Sequence, residues 1–427
     1  MSLRSRFDMV WMAARGATLL AVERLETGIG FNPMDPALRA DPYPFYKRLR
    51  ETDPFHRCRN ADGWILSRYE DVLAVLRDPN FGADERKRRR YPKERAFFVR
   101  AGLPDPYADD SGSMLRLDPP DHTRLRGLVA KAFTPRAVER MRPRVEAILK
   151  ELVEARPARG PMELVTELAA PLPVRVIAEM LGIPPEDHEQ FRRWSNAAIA
   201  MIGDGSIEER REAQRATNEL QEYFDAIAAA RRLAPRDDLI SALVAAEEAG
   251  ERLKRNELFS TLTLLLIAGN ETTTNLISNS VIALLRNPDQ LELLRRAPET
   301  IPDAIEELLR YDSPVQMTSR AVARDCVLRG HRLEQGQNVV LVLGSANRDP
   351  EVFADPDRLD VSRRDVRHLS FSHGIHFCLG AQLARLEASL ALEALLTRLP
   401  RFSLLPQEIA WSSNTILRGP KALWLDL

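Results

Sequence analysis

Cysteine is scarce in this chain. Only Cys58, Cys326 and Cys378 occur among 427 residues, and no two of them form a C-x-x-C pair. A disulfide framework is thereby excluded, and the composition suits a reducing cytoplasm. An excess of one charge is also lacking. The 61 basic and 62 acidic residues leave a formal charge of −1. No field exists to steer a polyanion, so nucleic acid is excluded as a partner. Long apolar runs are missing as well. The longest stretch near the N-terminus, Met9–Val22, follows Arg4 and Arg6 but is split by Arg15. It is too interrupted for a membrane span or a signal peptide and reads as an amphipathic helix on the protein body. No 20–50-residue repeat, low-complexity linker, G-x-G-x-x-G fingerprint or Walker A loop is present, which argues against a solenoid and a built-in nucleotide domain.

What is present is helix. Pro-rich turns at Asn32–Pro36, Asp41–Pro44, Asp118–Pro120, Gly182–Pro185 and Asp355–Asp357 punctuate the chain. Between them, helical spacing predicts helices over Val138–Leu152, Asp187–Met201, Glu208–Ala230, Asp237–Ala249 and Leu379–Leu396. The best strand candidates are short: Gly63–Ser67, Cys326–Leu328 and Asn338–Leu343. The expected fold is mainly α with minor β, one large domain over residues 31–427 behind a helical extension of residues 1–30. So large a core suggests that something is buried in it.

Asn256 is a candidate N-cap for a helix over Glu257–Arg286, with no proline before Pro288. Leu262–Ala268 is apolar on every side, so this helix crosses a core. Then follow Ala268, Gly269, Asn270, Glu271, Thr272 and Thr273. Glycine costs about 1 kcal/mol in a helix interior, and a buried Glu271 needs a partner. This chemistry suits a local opening of the helical ladder that binds a small polar ligand and passes protons. The plainer alternative is a polar patch with threonine bonding its i−4 carbonyl.

Glu307 and Arg310 share a helix face between Pro302 and Pro314. Taken alone they are an ordinary surface ion pair. The most informative segment is Phe371–Gly380, where Gly374 and Gly380 bracket Cys378. Glycines there let backbone approach a flat ligand, and a cysteine entering a helix has its thiolate stabilised by free amides. A rival reading has His368, His373, His376 and Cys378 supply a zinc site for a zinc enzyme. No H-x-x-x-H or C-x-x-C accompanies them, and the phenylalanine and glycines have no role there.

Together these motifs resemble the cytochrome P450 family, of the soluble bacterial type. Phe371–Gly380 matches F-x-x-G-x-x-x-C-x-G, Glu307–Arg310 matches E-x-x-R, and Ala268–Thr273 is similar to A-G-x-[DE]-T-[TS]. Asp118–Arg126 and Ala346–Pro350 add to the likeness, which spans nearly the whole chain. The resemblance implies haem b (iron protoporphyrin IX) with Cys378 as axial ligand and Phe371 beside the sulfur. It implies that His122, Arg126, Arg320 and His376 contact the propionates, with Gly374, Gly380, Ala268 and Gly269 also against the cofactor. Glu307, Arg310 and Arg348 would brace the proximal side. Glu271 and Thr272 would carry protons to dioxygen, the co-substrate. Ser372 stands where many relatives have glycine, and Glu271 where aspartate is commoner.

The implied activity is insertion of one oxygen atom into an apolar lipid, steroid, terpenoid or polyketide-like compound. Electrons would come from NAD(P)H indirectly, through a separate ferredoxin or flavodoxin and its reductase, docked near Arg363, Arg364 and Arg367. A cytoplasmic monomer is expected. A haem carrier or sensor without turnover is the other class to weigh. Substrate contacts by analogy are Phe97, Phe98, Met114, Leu115, Leu265, Val315, Met317, Thr415 and Ile416. The run Arg86–Arg90 reads as a solvated loop, with attraction of a carboxylate substrate as the alternative.

Overall fold

The computed structural model describes residues 16–102, 105, 107, 113–155, 160–198, 207–248, 253–399 and 402–427. Residues 16–27 are helical (α1); the first half of the expected N-terminal extension lies outside the described residues. The further helices of nine residues or more are α2 (Tyr43–Thr52), α3 (Tyr69–Arg77), α4 (Tyr91–Ala101), α5 (Asp121–Val129), α6 (Arg142–Glu154) and α7 (Pro171–Leu181). They continue with α8 (His188–Ala198), α9 (Ile207–Leu233), α10 (Leu239–Glu248), α11 (Arg255–Arg286), α12 (Pro288–Arg296), α13 (Ile301–Tyr311) and α14 (Ala381–Arg398). Among the described residues no helix is long and apolar enough to cross a membrane.

The long helix α11 is the axis of the molecule. Its 32 residues reach about 48 Å at 1.5 Å per residue. It starts earlier than expected. Lys254 is the N-cap and Asn256 lies inside the helix, because Glu257 reaches back to the Lys254 amide at 2.8 Å. Arg124 then clamps Glu257 at 3.0 and 2.5 Å. α11 packs against α7, α8, α9, α10, α13 and α14. Leu262, Leu266, Ile277 and Leu284 join Leu172, Phe191, Leu308 and Leu390 in the principal core.

The strands are few. β1 (Phe55–Cys58), β2 (Gly63–Leu66), β3 (Phe81–Gly82), β5 (Thr318–Val322) and β8 (Asn338–Leu341) form a sheet ordered β1-β2-β8-β5-β3. In it only β2 and β8 run parallel. β4 (Pro161–Glu163), β9 (Ser403–Leu404) and β10 (Trp424–Asp426) make a second sheet, and β6 (Cys326–Leu328) pairs with β7 (His331–Leu333). A smaller core lies against the main sheet around Leu66, Val72, Val339 and Leu341.

Several boundaries differ from the expected ones for clear reasons. The helix expected over Val138–Leu152 is broken into Pro135–Glu139 and α6. Pro143 cannot continue the earlier ladder, since it has no N–H, but it fits the first turn of a new helix. The strand expected to Leu343 stops at Leu341, because Leu343 opens the short helix Leu343–Ala346. α8 begins at His188, after a tight turn at Pro185–Asp187; the end expected at Met201 lies outside the described residues. The helix expected from Leu379 starts at Ala381, with Gly380 as its N-cap.

Candidate functional site

The loop before α14 is built by its backbone. The Cys378 amide donates to the Phe371 carbonyl at 2.9 Å, and the Phe377 amide to the Gly374 carbonyl at 3.1 Å. Gly374 has φ +71, and an added Cβ would sit 2.3 Å from the Leu76 carbonyl oxygen. No other residue fits there. Ser372 also lies in the left-handed region, at φ +61, a conformation that glycine takes at lower cost. Its hydroxyl is buried without a partner.

The Cys378 sulfur accepts from the Gly380 amide, and Arg126 lies nearby, yet burial outweighs both and pushes the thiol up. A metal ion must supply the rest, as a coordinated thiol is deprotonated outright. Two glycines near the motifs face open space. A Cβ added at Gly380 meets nothing within 4 Å, and one added at Gly269 on α11 meets nothing either.

Beside this loop lies a cluster of basic side chains, two arginines and two histidines. His122 and Arg126 are one turn apart on α5, Arg320 comes from β5, and His376 from the loop. The His122 and His376 ring centroids are 4.2 Å apart. Burial, with Arg320 and His122 beside it, drives His376 down to about 3. Burial and Arg126 also lower His122, and burial lowers Arg320 to about 10. His122 Nδ1 and His376 Nε2 are buried with no hydrogen-bond partner. The carboxylate in their field, Asp118, already accepts from Lys87 and the Ala83 amide, both at 2.7 Å. Unpartnered donors among buried cations are costly unless an anion completes them. The donor set fits the two propionates of a haem.

The proximal side is densely tied. Arg310 and Glu307 are both fully buried, unlike the surface pair that the two residues suggest when taken alone. Arg310 grips Glu307 at 2.7 and 2.8 Å and donates to the carbonyls of Asn347, Pro356 and Arg358 at 3.1, 2.7 and 3.1 Å. The Asp360 amide donates to Glu307 at 3.0 Å. Arg363 lies 3.2 Å from Glu307, so it is a bracing residue rather than a free docking cation. Arg364 pairs with Asp303, while Arg367 is exposed. Arg348 donates to the Tyr311 carbonyl at 2.6 Å and stacks 3.5 Å from the Tyr43 ring centre.

Of the two further supports here, the sequence reading places Asn347 in the segment linked to this pair and misses Arg385. Asn347 donates to Ser313 and Ser370 at 2.8 and 2.9 Å and accepts from the Leu369 amide at 2.7 Å. Arg385 lies over the Phe371 ring at 4.6 Å and pairs with Glu306 at 2.6 and 2.9 Å. Together with His368, Arg385 overcomes burial and holds Glu306 down at about 2.

On the distal side α11 is continuous through Gly269. The anticipated opening of its ladder is not found. Thr272 Oγ1 instead donates to the Ala268 carbonyl at 2.7 Å, the plainer alternative weighed above. Burial raises Glu271, whose one side-chain donor among the described residues, Asn275, is 3.4 Å away. Thr273, the next residue, bonds Glu387 on α14, whose carboxyl burial lifts to about 8. The signals for these residues were weak: a polar side chain in an apolar helix shows only that a partner is needed, not which one.

The zinc site is not assembled. His373 accepts from the Gly374 amide at 2.7 Å and meets Arg77 at 3.2 Å, while His376 faces His122. Among the described residues no three His, Cys, Asp or Glu side chains are grouped to hold a metal. The basic run is solvent-exposed at Lys87, Arg89 and Arg90, as expected, but most of its side chains are also ion-paired. Arg86 pairs with Asp84 at 2.8 Å, Lys87 with Asp118 at 2.7 Å, Arg88 with Glu94 at 3.1 Å and Arg89 with Glu334 at 2.8 Å.

The residues expected to touch substrate fall in separate places. Met114 and Leu265 lie in the principal core, and Leu115 is exposed. Phe97 and Phe98 pack edge to face on α4 at 5.8 Å. Val315 bridges Leu417. Met317 sits in a third core with Tyr46 and Val342, with Ile416 against it. Met317 and Thr415 line a cavity with Leu38 and Trp411.

A family model described as Cytochrome P450 matches residues 187–421. Cytochrome P450 107B1 of Saccharopolyspora erythraea is 43% identical over 397 residues, covering 91% of this chain and 96% of its own. Cytochrome P450 monooxygenase PikC of Streptomyces venezuelae is also 43% identical, over 90% of each chain. The structure of the bacillaene polyketide synthase cytochrome P450 PksS of Bacillus subtilis is 39% identical. It superposes with a TM-score of 0.83, covering 93% of this chain and 99% of that one.

Proposed function

The chain belongs to the cytochrome P450 family and is an oxidoreductase of the monooxygenase type, and from that premise we propose that it oxygenates an apolar, polyketide-like small molecule with haem b held by Cys378. The observation that carries the haem assignment is the cluster of His122 and Arg320, both buried, with the half-buried Arg126 and His376 beside the Cys378 loop, two of its ring nitrogens unpartnered. When bound, the haem supplies the activation of dioxygen, and a thiolate ligand favours O–O cleavage.

The protein's own residues do the rest. Cys378 provides the anionic ligand, and the Gly380 amide tunes its basicity through a hydrogen bond. Arg126 and Arg320 neutralise the propionates as they enter an apolar interior, and the neutral rings of His122 and His376 offer hydrogen bonds beside them. Burial keeps Glu271 protonated to higher pH than an ordinary carboxyl, which suits a group that takes up and passes on a proton. The Thr272 hydroxyl, anchored on the Ala268 carbonyl, presents its oxygen beside that carboxyl as the next acceptor and donor. Met114 and Leu265 supply an apolar wall. Phe97, Phe98, Leu115, Val315, Met317, Thr415 and Ile416 are proposed as the outer contacts.

Electrons reach the site from a ferredoxin and its reductase, in a cytoplasmic monomer, with NAD(P)H used only by the partner. The polyketide class is supported by PksS, a polyketide biosynthesis cytochrome P450. A carrier role is disfavoured, since a carrier has no use for a buried proton-holding pair. The test is a library of macrolides, fatty acids and steroids, scored by haem spin shift and then by product with ferredoxin and reductase. Turnover of a macrolide supports the reading. A spin shift without product from any compound would favour the carrier instead.

A further inference from the structure

We propose that Asn270 is a positioning residue: its side chain ties α11, between Gly269 and Glu271, to α8, and so sets the rotation at which Glu271 and Thr272 present their oxygens. Asn270 is 1% exposed and Ser195 on α8 is 0% exposed. Asn270 Nδ2 donates to Ser195 Oγ at 2.7 Å and faces Asn196 Oδ1 at 3.4 Å. Its Oδ1 accepts from Thr274 Oγ1 at 3.4 Å, a hydroxyl that also reaches the Ala169 carbonyl at 3.2 Å. One buried amide thus joins α11 to α8 directly and, through Thr274, to the wide turn Val165–Ala169 before α7.

The position matters because successive helical residues are rotated by about 100°. Fixing residue 270 therefore fixes the directions of residues 271 and 272. Gly269 offers no resistance to twist, having no Cβ and open space beside it. The Thr272 hydroxyl pulls on the Ala268 carbonyl from the other side. Among the described residues, Asn270 is the one side chain from 268 to 272 that hydrogen-bonds to another helix. The consequence rests on the reading of Glu271 and Thr272 as the proton relay. In the coupled reaction, substrate R–H, dioxygen, two electrons and two protons give R–OH and water. With the relay displaced, dioxygen, the same two electrons and two protons give hydrogen peroxide.

The test uses the haem-loaded full chain as wild type, Ser195→Ala, Asn270→Leu and their double variant, with Glu271→Gln as the control for the relay. Hydrogen exchange at the amides of residues 268–273 reads the tether without turnover. We expect it to quicken by about tenfold in each single variant, and no further in the double. Peroxide formed per dioxygen consumed by the photoreduced protein reads the consequence, and a severalfold rise is expected in both single variants. Unchanged exchange in Ser195→Ala, or additive effects in the double, overturns the tether. Faster exchange with unchanged peroxide overturns its role in positioning. If Asn270→Leu does not fold, Ser195→Ala decides alone. If Glu271→Gln leaves peroxide unchanged, it is the relay that fails, and the exchange result still decides the tether.

Discussion

The two sides of this site are built in opposite ways. On the proximal side, Arg310 makes five hydrogen bonds from full burial, two to Glu307 and three to carbonyls. On the distal side, Glu271 has a single donor at 3.4 Å, Gly269 has no neighbour near its Cβ direction, and Thr272 bonds only its own helix. A saturated buried network is rigid and expensive to break. A sparsely bonded carboxyl and hydroxyl can change protonation without dismantling anything. The contrast teaches that holding the cofactor and moving protons are assigned to different residues, so they should separate under mutation.

The largest effect is expected on the rigid side. Arg310→Ala removes both bonds of the buried Glu307 to its main partner, leaving it Arg363 and the Asp360 amide, and frees three carbonyls, a loss of about 3 kcal/mol or more. Expressed protein should then lack haem and melt far below wild type by calorimetry. On the sparse side, Thr272→Val and Glu271→Gln should fold and take up haem normally. Their product formed per dioxygen consumed should fall by about 100-fold at most and several-fold at least, as for loss of a positioned acid. Equal haem loss in both sets of variants would erase the distinction.

A third effect sharpens the comparison by pH. Glu387 has a folded-state carboxyl raised to about 8 by burial. The folded protein then binds a proton that the unfolded chain has released. Stability from this group is complete below the ordinary carboxyl range and is lost as pH rises towards 8. The slope is at most about 1.4 kcal/mol per pH unit. Denaturant titrations from pH 5 upward should show it in wild type, and Glu387→Gln should flatten it. The smallest effect concerns Ser372. With φ at +61 and an unpartnered hydroxyl, Ser372→Gly should stabilise the loop by about 0.5–1 kcal/mol. A melting temperature that falls instead would contradict the strain.

Much of this site was legible because its motifs are local. Cys378, Gly374 and Gly380 lie within seven positions, and Glu307 and Arg310 within four. The long helix was legible from its apolar run and missing prolines, although its start was misplaced by a carboxylate that reaches backwards to the Lys254 amide. What was not legible is pairing across distance. Nothing in the run Arg86–Arg90 announces Asp118 or Glu334 as partners. Nothing in Arg363 announces Glu307, or in Asn270 announces Ser195. Gly269 misled in the other direction: a helix-weakening residue permits an opening, but Thr272 bonding the Ala268 carbonyl lies within an unbroken helix.

The central claim is that Cys378 binds haem iron as a thiolate, and the carbon monoxide difference spectrum of the reduced protein tests it most directly. Wild type should show the far red-shifted Soret band of thiolate ligation, and Cys378→His should bind haem but give the blue-shifted band of a histidine-ligated protein. A wild-type spectrum without the red-shifted band, or one unchanged in Cys378→His, would contradict the account.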